Sequence, residues 1–179
     1  KGNIMAVTIE EALEIIYTNI KTKSTQLLPI ENALGYILAE DIIATHNLPP
    51  YDNSAMDGYA VKVEDSGKCV DVKCTIFAGD DFHGEVQTGS AIKIMTGAKI
   101  PLKTQTIVPI ENVKECDKGV ILPQNLVMSN HIRLSGEDIK KECELLHHGD
   151  KLNAYQITLL ASQGISHVKV YKKPKVAVF

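Results

Sequence analysis

The stretch "PPYDNSAMDGYAV", Pro49–Val61, places a run of short polar side chains directly before a strand-like apolar segment. Prolines cannot donate ladder hydrogen bonds, so the pair at its start ends any strand before it. Asp57-Gly58 is typical of hairpin turns, and Asp and Asn side chains form turns with their own backbone. Asp also offers the hard oxygen ligands that Mg²⁺ uses beside phosphates. The local pattern leaves two interpretations open, a hairpin loop or a functional loop next to a rigid strand.

The residues after this stretch alternate short β-rich runs with turn residues as far as Arg133. Regular short strands of this kind predict an all-β module, and no helical pattern interrupts them. The runs are "GYAVKV" from Gly58, "CVDVKCTIFA" from Cys69, "SAIKIMT" from Ser90, "TIVPI" from Thr106, "GVILP" from Gly119 and "HIRL" from His131.

Helical signals lie on both sides of the β-rich region. Thr8 and Glu11 have the spacing of a capping box and predict a helix over Thr8–Ile20. From Ser135 helical signals return, and a second capping box precedes "AYQITLLASQG", after which "HVKVY" predicts a strand. The first helix is expected to bury one apolar face, formed by Ala12, Leu13, Ile16 and Ile20; the second capping box is formed by Asn153 and Gln156, with Gly164 ending the helix.

This order predicts an α+β, mostly β fold in which a β domain is inserted into a mixed domain. The boundaries are 1–44 and 135–172 for the discontinuous domain and 45–134 for the inserted one. The apolar end of the chain, 173–179, suits a buried parallel strand that opens a further α/β domain.

Composition excludes several classes of protein. The chain has 179 residues, 44% hydrophobic content and a net charge of -3, so nothing global indicates nucleic acid or an anionic membrane as a partner. No apolar run approaches the ~20 residues that cross a bilayer, and no signal peptide is visible, so the cytoplasm is the expected location.

The cysteines and histidines show no metal-site spacing. Cys69, Cys74, Cys116 and Cys143 include no Cys-x-x-Cys pair, and free reduced thiols are expected. His147-His148 has no third ligand in the neighbouring sequence, which favours a solvated turn over a metal site.

Two further stretches carry candidate site residues. In "IKIMTGAKIP", from Ile92, the turn at Thr96-Gly97 offers either an ordinary β-turn or an anion-binding nest of backbone N–H groups, with the Thr hydroxyl and Lys99 beside it. In "IRLSGEDIKKE", from Ile132, the charged residues around Gly136 form either a solvated turn or a second acidic part of a metal-nucleotide site. The charged residues are Arg133, Glu137 and Asp138.

The three stretches together resemble the molybdopterin molybdenumtransferase family, which includes MoeA and the gephyrin E-domain. "LPPYDNSAMDGYAV", "IMTGAKIP" and "GEDI" match its signatures in order, and "GISHVKVYKKPKVAVF" is similar to its passage into the molybdopterin-binding domain. The resemblance covers essentially the whole chain. It implies an extended α/β linker and dimerisation domain with an inserted domain of coiled, bifurcated β-sheets, and a molybdopterin-binding domain that starts at 173–179.

The resemblance also implies an activity. Molybdate would replace AMP on adenylylated molybdopterin, aided by Mg²⁺, in a homodimer whose cleft is shared between subunits, and a molybdopterin adenylyltransferase would be a partner. A P-loop, a dinucleotide-binding motif and a nucleophile elbow are all missing from the sequence, so covalent catalysis is unsupported.

The resemblance assigns roles residue by residue. The functional residues of the three motifs fall on Asp57, Thr96 and Asp138, and Asp57 is the expected metal-binding residue. Substrate-binding residues are expected at Asp52, Asn53, Ser54, Gly97 and Lys99.

The chain departs from the family pattern at a few positions. Lys103, Thr104 and Gln105 stand where the family usually has Gly-Ala-Asp. Glu142 stands where Gly is common, which suggests a different turn after "GEDIKK".

Two rival hypotheses remain. One is a non-catalytic dimerisation and scaffolding module of the gephyrin type, against which the retention of Asp57, Thr96 and Asp138 argues. The other is a stand-alone anion-binding β module, which the apolar terminus argues against. The gene sequence beyond Phe179 discriminates the enzyme from the stand-alone module, because an α/β domain there would support the enzyme and a stop codon would favour the module.

Overall fold

The computed structural model describes residues 7–175 and 177–178. The chain divides into two compact units. The flanking unit consists of the residues up to Ile42 and from Glu144 onward, and the inserted unit is Ile43–Cys143. The boundaries expected from sequence were 44/45 and 134/135. The segment 135–143, which contains Asp138, therefore groups with the β-rich residues.

Most of the regular structure in the described residues is β. Three short 3₁₀ turns, at Ile30–Asn32, Val63–Asp65 and Ile110–Asn112, connect strands. In chain order the helices and strands are α1 (Ile9–Asn19), β1 (Thr25–Pro29), β2 (Ile42–Ile43), β3 (Asn53–Ser54), β4 (Gly58–Val61), β5 (Cys69–Ile76), β6 (Ser90–Ile94), β7 (Thr106–Pro109), β8 (Lys114–Cys116), β9 (Gly119–Ile121), β10 (Ile132–Arg133), β11 (Glu144–Leu146), α2 (Ala154–Ser162) and β12 (His167–Tyr171).

Both capping boxes predicted from sequence are confirmed. The Thr8 hydroxyl accepts the Glu11 N–H, and the Glu11 carboxylate accepts the Thr8 N–H. Asn153 and Gln156 exchange the same pair of bonds at the start of α2, and Gly164 follows its end at φ 68°. Reciprocal bonds of this kind satisfy helix N–H groups that have no partner within the helix.

The predicted buried face of α1 is wrong for this chain. The helix contains no buried residue, and Leu13, Ile16 and Ile20 are 44%, 48% and 66% exposed. Apolar periodicity shows that a helix has a side suited to burial, but it does not show what covers that side. The segment 135–153 also forms turns and β11 rather than a helix, so helical structure returns only at Ala154.

The core of the flanking unit forms around β1 and β12, which pair antiparallel from Thr25–Tyr171 to Pro29–His167. The short strands β2 and β11 also pair with each other. Burial of apolar side chains from both chain segments stabilises this unit. The buried residues are Ala33, Leu38, Ile42, Leu146, Leu152, Leu160, Val168 and Val170.

The inserted unit is built on a six-stranded sheet with the order β7-β4-β6-β5-β9-β8. The neighbours pair antiparallel except for β5 and β6, which are parallel and have a register irregularity between Val72 and Thr75. All four residues of β4, which lies between β7 and β6, are buried. Two apolar clusters, one around Val61 and one around Ile94, pack against the sheet. The six β-rich runs predicted from sequence all contain strands.

The expectation of four free cysteines is wrong. Cys69 and Cys116 form a disulfide across a sequence separation of 47 residues, whereas Cys74 and Cys143 are free. The two residues lie on β5 and β8, which both pair with β9, and their Cα atoms are 6.5 Å apart. No local spacing could have revealed a bond between residues so far apart in sequence.

Two expectations concern the chain end and the membrane. The strand expected within 173–179 includes Val176 and Phe179, which lie outside the described residues, so it stays a prediction. Within the described part of the chain, neither helix has the length and apolar character needed to cross a bilayer.

Candidate functional site

Strand β3, within the opening motif, brings the three predicted stretches together in the inserted unit. On one side Asn53 and Ser54 pair antiparallel with Arg133 and Ile132 of β10. On the other side Asn53 forms a bridge to Lys99, and the Ser54 N–H donates to Ala98 O at 3.0 Å. The second and third stretches therefore lie on opposite edges of the first, which their separation in sequence does not show.

Asp57 and Thr96 are joined directly. Asp57 Oδ1 accepts two hydrogen bonds from Thr96, one from its backbone nitrogen and one from Oγ1, both at 2.7 Å. Asp57 precedes β4 and Thr96 follows β6, and these strands are neighbours in the sheet with Gly58 opposite Ile94. Two adjacent strands thus fix the relative position of the two predicted catalytic residues.

The environment of Asp57 favours its ionised form. The Thr96 hydroxyl first, the Thr96 N–H second and the positive charge of Lys93 hold the pKa of the Asp57 carboxyl below its ordinary value of 3.8. The residue is exposed to solvent. At neutral pH Asp57 is therefore a fixed, accessible carboxylate whose Oδ2 has no hydrogen bond within the described residues.

The hairpin-turn interpretation of Asp57-Gly58 is wrong. Strand β3 pairs with β10, whereas β4 pairs with β6 and β7, so the two strands on either side of this pair are not partners. Gly58 is required for a different reason. A Cβ on Gly58 would lie 2.2 Å from the carbonyl oxygen of Val108 on β7. The glycine allows close approach of two backbones, and the aspartate is left to bind Thr96.

The anion-nest interpretation of the Thr96-Gly97 turn is also wrong. The Thr96 N–H donates to Asp57, the Gly97 N–H donates to Ser54 O at 2.9 Å, and the Ala98 N–H donates to Met95 O at 3.0 Å. Gly97 adopts φ 81°, which lets the chain turn back onto β3. All three donors of the expected nest are thus used inside the protein. Lys99 remains exposed and has no ion pair among the described residues.

Asn53 and Ser54, expected to line the substrate wall, are buried. Ser54 is fully buried and its hydroxyl donates to Met56 O. Asn53 is 7% exposed and its side-chain amide donates to Tyr51 O at 3.3 Å. Both side chains therefore hold the loop in shape, because buried polar groups need partners of this kind.

The third stretch forms a turn fixed by charges and by long-range bonds. Arg133 Nη2 contacts both Asp138 carboxylate oxygens, at 2.6 and 2.7 Å. Asp52 Oδ1 accepts the Ser135 N–H at 2.7 Å, which joins the first motif to this turn. The Asp138 N–H donates to Leu48 O at 2.9 Å. Asp52 and Asp138 thus border the same turn, and among the described residues no hydrogen bond or ion pair links either of them to Asp57 or Thr96.

The departures from the family pattern keep turns that glycine normally makes. Lys103 has φ 61° and Glu142 has φ 71°, both in the left-handed region that glycine adopts without strain. The Glu142 N–H donates to Ala44 O at 2.9 Å. Gln105 Oε1 accepts the Val63 N–H at 2.9 Å. Each of these residues therefore has an identifiable structural place.

The residues at Asp57 fit a cation that keeps most of its water. Mg²⁺ in phosphate-transfer sites is held by one or two carboxylates and by substrate phosphates. Asp57 offers one ionised carboxylate with a free oxygen. No group of three ligand side chains converges here within the described residues. The fit is to a cation shared with the substrate rather than to a resident metal cage.

Comparison with known proteins agrees with the fold and with the motifs. The model of the MoeA N-terminal region (domain I and II) matches residues 7–164. A molybdopterin molybdenumtransferase of Haemophilus influenzae is 42% identical over 157 residues, which are 86% of this chain and 39% of that protein. One of Staphylococcus epidermidis is 33% identical over 180 residues, covering 96% of this chain and 43% of that protein.

A solved structure extends the likeness to three dimensions. A molybdopterin biosynthesis MoeA protein from Pyrococcus horikoshii OT3 superposes with a TM-score of 0.84 at 32% identity, covering 92% of this chain and 46% of that one. The α+β, mostly β fold that the resemblance implied is thereby confirmed. The chain spans less than half the length of these relatives. It belongs to the family of the MoeA N-terminal region.

Proposed function

We propose that this chain is the N-terminal part of an enzyme of molybdenum cofactor biosynthesis that inserts molybdate into adenylylated molybdopterin and releases AMP. The observation that carries the proposal is the Asp57–Thr96 pair, a fixed carboxylate just before β4. The third motif is joined to the same stretch of chain through the pairing of β10 with β3. The names of the relatives, molybdopterin molybdenumtransferases, support the same reaction.

The chemistry asks for positioning and charge more than for a nucleophile. Release of AMP breaks a bond at a phosphate, and such reactions depend on placed charges that neutralise phosphate oxygens. Bound Mg²⁺ supplies a Lewis-acidic charge at the phosphates. Asp57 would hold that cation or its waters through Oδ2, while Thr96 keeps the carboxylate oriented through Oδ1.

Lysines supply the complementary charge for the anionic substrates. Lys99 is exposed and follows the Thr96 turn, and Lys93 lies close enough to lower the pKa of Asp57. We assign phosphate or molybdate binding to Lys99 in place of the occupied backbone donors of the turn. Asp52 and Asp138 would position the turn 133–138 through their bonds to Ser135 and Arg133.

The partners and location follow from the same assignment. The enzyme would act as a homodimer in the cytoplasm, and a molybdopterin adenylyltransferase would supply its substrate. The second candidate, a scaffolding module of the gephyrin type, would need none of the Asp57–Thr96 geometry. Because both hydrogen bonds of that pair are in place, the enzyme is the better supported of the two.

The proposal is tested by Asp57→Asn in the full-length protein that contains this chain. The Asn carbonyl oxygen can still accept both bonds from Thr96, so fold and turn should survive while the charge is lost. Loss of one preorganised electrostatic group costs about 10²–10³ in rate. We expect molybdenum insertion to fall by that factor and the remaining activity to require more Mg²⁺.

Asp71→Asn is the matched control, because Asp71 is also an exposed sheet carboxylate and its partner, Lys73, lies outside the three motifs. It should leave turnover unchanged. Residues 1–179 alone should show no turnover, because the relatives are more than twice as long. Full turnover by Asp57→Asn with an unchanged thermal melt would reduce Asp57 to a structural residue and favour the scaffold.

A further inference from the structure

Three potential metal ligands that belong to none of the three motifs meet in the flanking unit. Asp41, Glu144 and His147 each offer one ligand atom, and these atoms all lie within 4.8 Å of one another. His147 Nδ1 is already 2.9 Å from Glu144 Oε1. Glu144 and His147 are close in sequence, whereas the third ligand, Asp41, comes from the first chain segment of this unit.

Backbone N–H groups position the Asp41 carboxylate and the turn that carries His147. The His148 N–H donates to Asp41 Oδ1 at 2.6 Å, which brings that carboxylate to the turn after β11. The His147 N–H donates to Asp150 Oδ2 at 2.8 Å, and the Asp150 N–H donates back to His147 O at 3.0 Å. The His148 ring instead contacts the Tyr171 hydroxyl at 2.7 Å, so only one of the two histidines belongs to the group.

The ligand set selects a class of metal. Mg²⁺ and Ca²⁺ prefer oxygen ligands only, whereas an imidazole nitrogen favours Zn²⁺ and its transition-metal neighbours. Ligand atoms about 2.0–2.2 Å from Zn²⁺ lie about 3.4 Å apart in a tetrahedron. The three side chains are exposed, and their ligand atoms already lie within 4.8 Å of one another. Two carboxylates would also balance the charge of a divalent ion, and the fourth position would hold water.

We propose that Asp41, Glu144 and His147 bind one divalent transition-metal ion of the Zn²⁺ class. The ion would link the first chain segment of the flanking unit, through Asp41, to the second, through Glu144 and His147. It would therefore stabilise a unit whose core is assembled from two separate parts of the chain. This site is independent of the cation proposed at Asp57.

The test is a Zn²⁺ titration of the whole chain, followed by calorimetry and by thermal melts. A Cys74→Ser/Cys143→Ser background removes the free thiols as competing ligands. We expect one Zn²⁺ per chain, no displacement by an equal concentration of Mg²⁺, and a melting temperature that rises with Zn²⁺. Loss of an outer-shell partner alone costs about 10–100-fold in metal affinity, so His147→Ala and Asp41→Asn should each cost at least about tenfold.

His83→Ala is the matched control, because His83 forms an exposed pair with Asp81 at 3.1 Å but belongs to no group of three ligands in the described residues. It should bind Zn²⁺ like the parent. Melts in the presence of a chelator show whether each variant folds, and Glu144→Gln replaces any that does not. Parent-like Zn²⁺ affinity in the folded triad variants, or equal loss in His83→Ala, would overturn the proposal.

Discussion

Asp57 and Thr96 form a two-bond contact in which one carboxylate oxygen accepts both the backbone N–H and the hydroxyl of the same residue, each at 2.7 Å. The contact joins the residue before β4 to the residue two positions beyond the end of β6. The contact fixes the orientation of the Asp57 carboxylate and favours its ionised form. A simple turn would require neither.

Thr96→Val removes the hydroxyl and keeps the backbone donor. Because the hydroxyl is the largest cause of the lowered pKa of Asp57, this pKa should rise toward 3.8 while remaining below it, owing to the remaining N–H and Lys93. Carboxyl chemical shifts in an NMR pH titration measure the change. Thr96→Ser retains a hydroxyl and should keep the lowered pKa. An unchanged pKa in Thr96→Val would show that the hydroxyl bond is not formed in solution.

The same pair predicts a pH dependence of stability. A carboxyl whose pKa is lowered on folding contributes stability that is fully present above its unfolded pKa and is lost as pH falls through the folded one. The stability difference between wild type and Asp57→Asn should therefore be constant well above pH 3.8 and should change only below it. Urea denaturation at a series of pH values tests this. A difference that already changes near neutral pH would assign the effect to another group.

The disulfide predicts a large effect of cysteine substitution. Cys69 and Cys116 close a loop with a sequence separation of 47, for which the chain-entropy model gives about 4 kcal/mol of stabilisation and typical measurements give about 2–4. Cys69→Ser/Cys116→Ser should lower the free energy of unfolding by that amount under oxidising conditions. Cys74→Ser/Cys143→Ser should have little effect. Equal stability of the two double variants would show that the disulfide contributes nothing.

Gly58 should tolerate no side chain. Its Cβ would lie 2.2 Å from Val108 O and 2.9 Å from Val108 C, both backbone atoms of the neighbouring strand β7. Gly58→Ala should cost about 3 kcal/mol or more, at the upper end of overpacking effects. Gly35→Ala is the control, because Gly35 has φ 76° but an added Cβ meets nothing within 4 Å. It should cost only about 1 kcal/mol, from the left-handed backbone. Similar losses in both variants would contradict the close approach.

Glu142→Gly should stabilise the protein. Glu142 is exposed at φ 71°, where a side chain costs about 1–2 kcal/mol. Glycine avoids this cost but is itself less favourable by about 0.5–1 kcal/mol, because it loses more conformational freedom on folding. The expected net gain is about 0.5–1 kcal/mol in urea denaturation. Glu115→Gly, in the regular strand β8, should instead destabilise. A loss of stability in Glu142→Gly would mean that the glutamate side chain makes a contribution of its own.

The features that the sequence predicts well are those with local causes. Both capping boxes and the strands of the six β-rich runs depend on residues close together in the chain, and they are present. Strand β3 has two polar residues and no strand-like composition. It exists because β10 on one side and the residues around Lys99 on the other pair with its backbone. The disulfide is equally non-local, as is the meeting of Asp41 with His147.

The candidate site was found by resemblance and reinterpreted by geometry. Asp57 and Thr96 were expected in one site, and the structure brings them into contact. The Thr96 N–H and hydroxyl, which the sequence pattern offers as donors to a bound anion, donate to Asp57 instead. Asn53 and Ser54 matched the family motif yet are buried. A motif match therefore identified the residues of this loop, but burial and hydrogen bonding were needed to separate accessible side chains from those that shape the backbone.

The two ends of the inserted unit are tied together. The Ala44 N–H donates to Cys143 O at 2.8 Å, and the Glu142 N–H donates to Ala44 O at 2.9 Å. In a nascent chain this unit is continuous and can fold as soon as it has been synthesised, whereas β1 must wait for β12. Once folded, the inserted unit acts as a short loop between the two flanking segments, because its ends are tied together. Bringing those segments together then costs less chain entropy than closing a flexible loop of the same number of residues. The order of synthesis thus favours completion of the inserted unit, with its Asp57–Thr96 pair, before the unit that surrounds it in sequence.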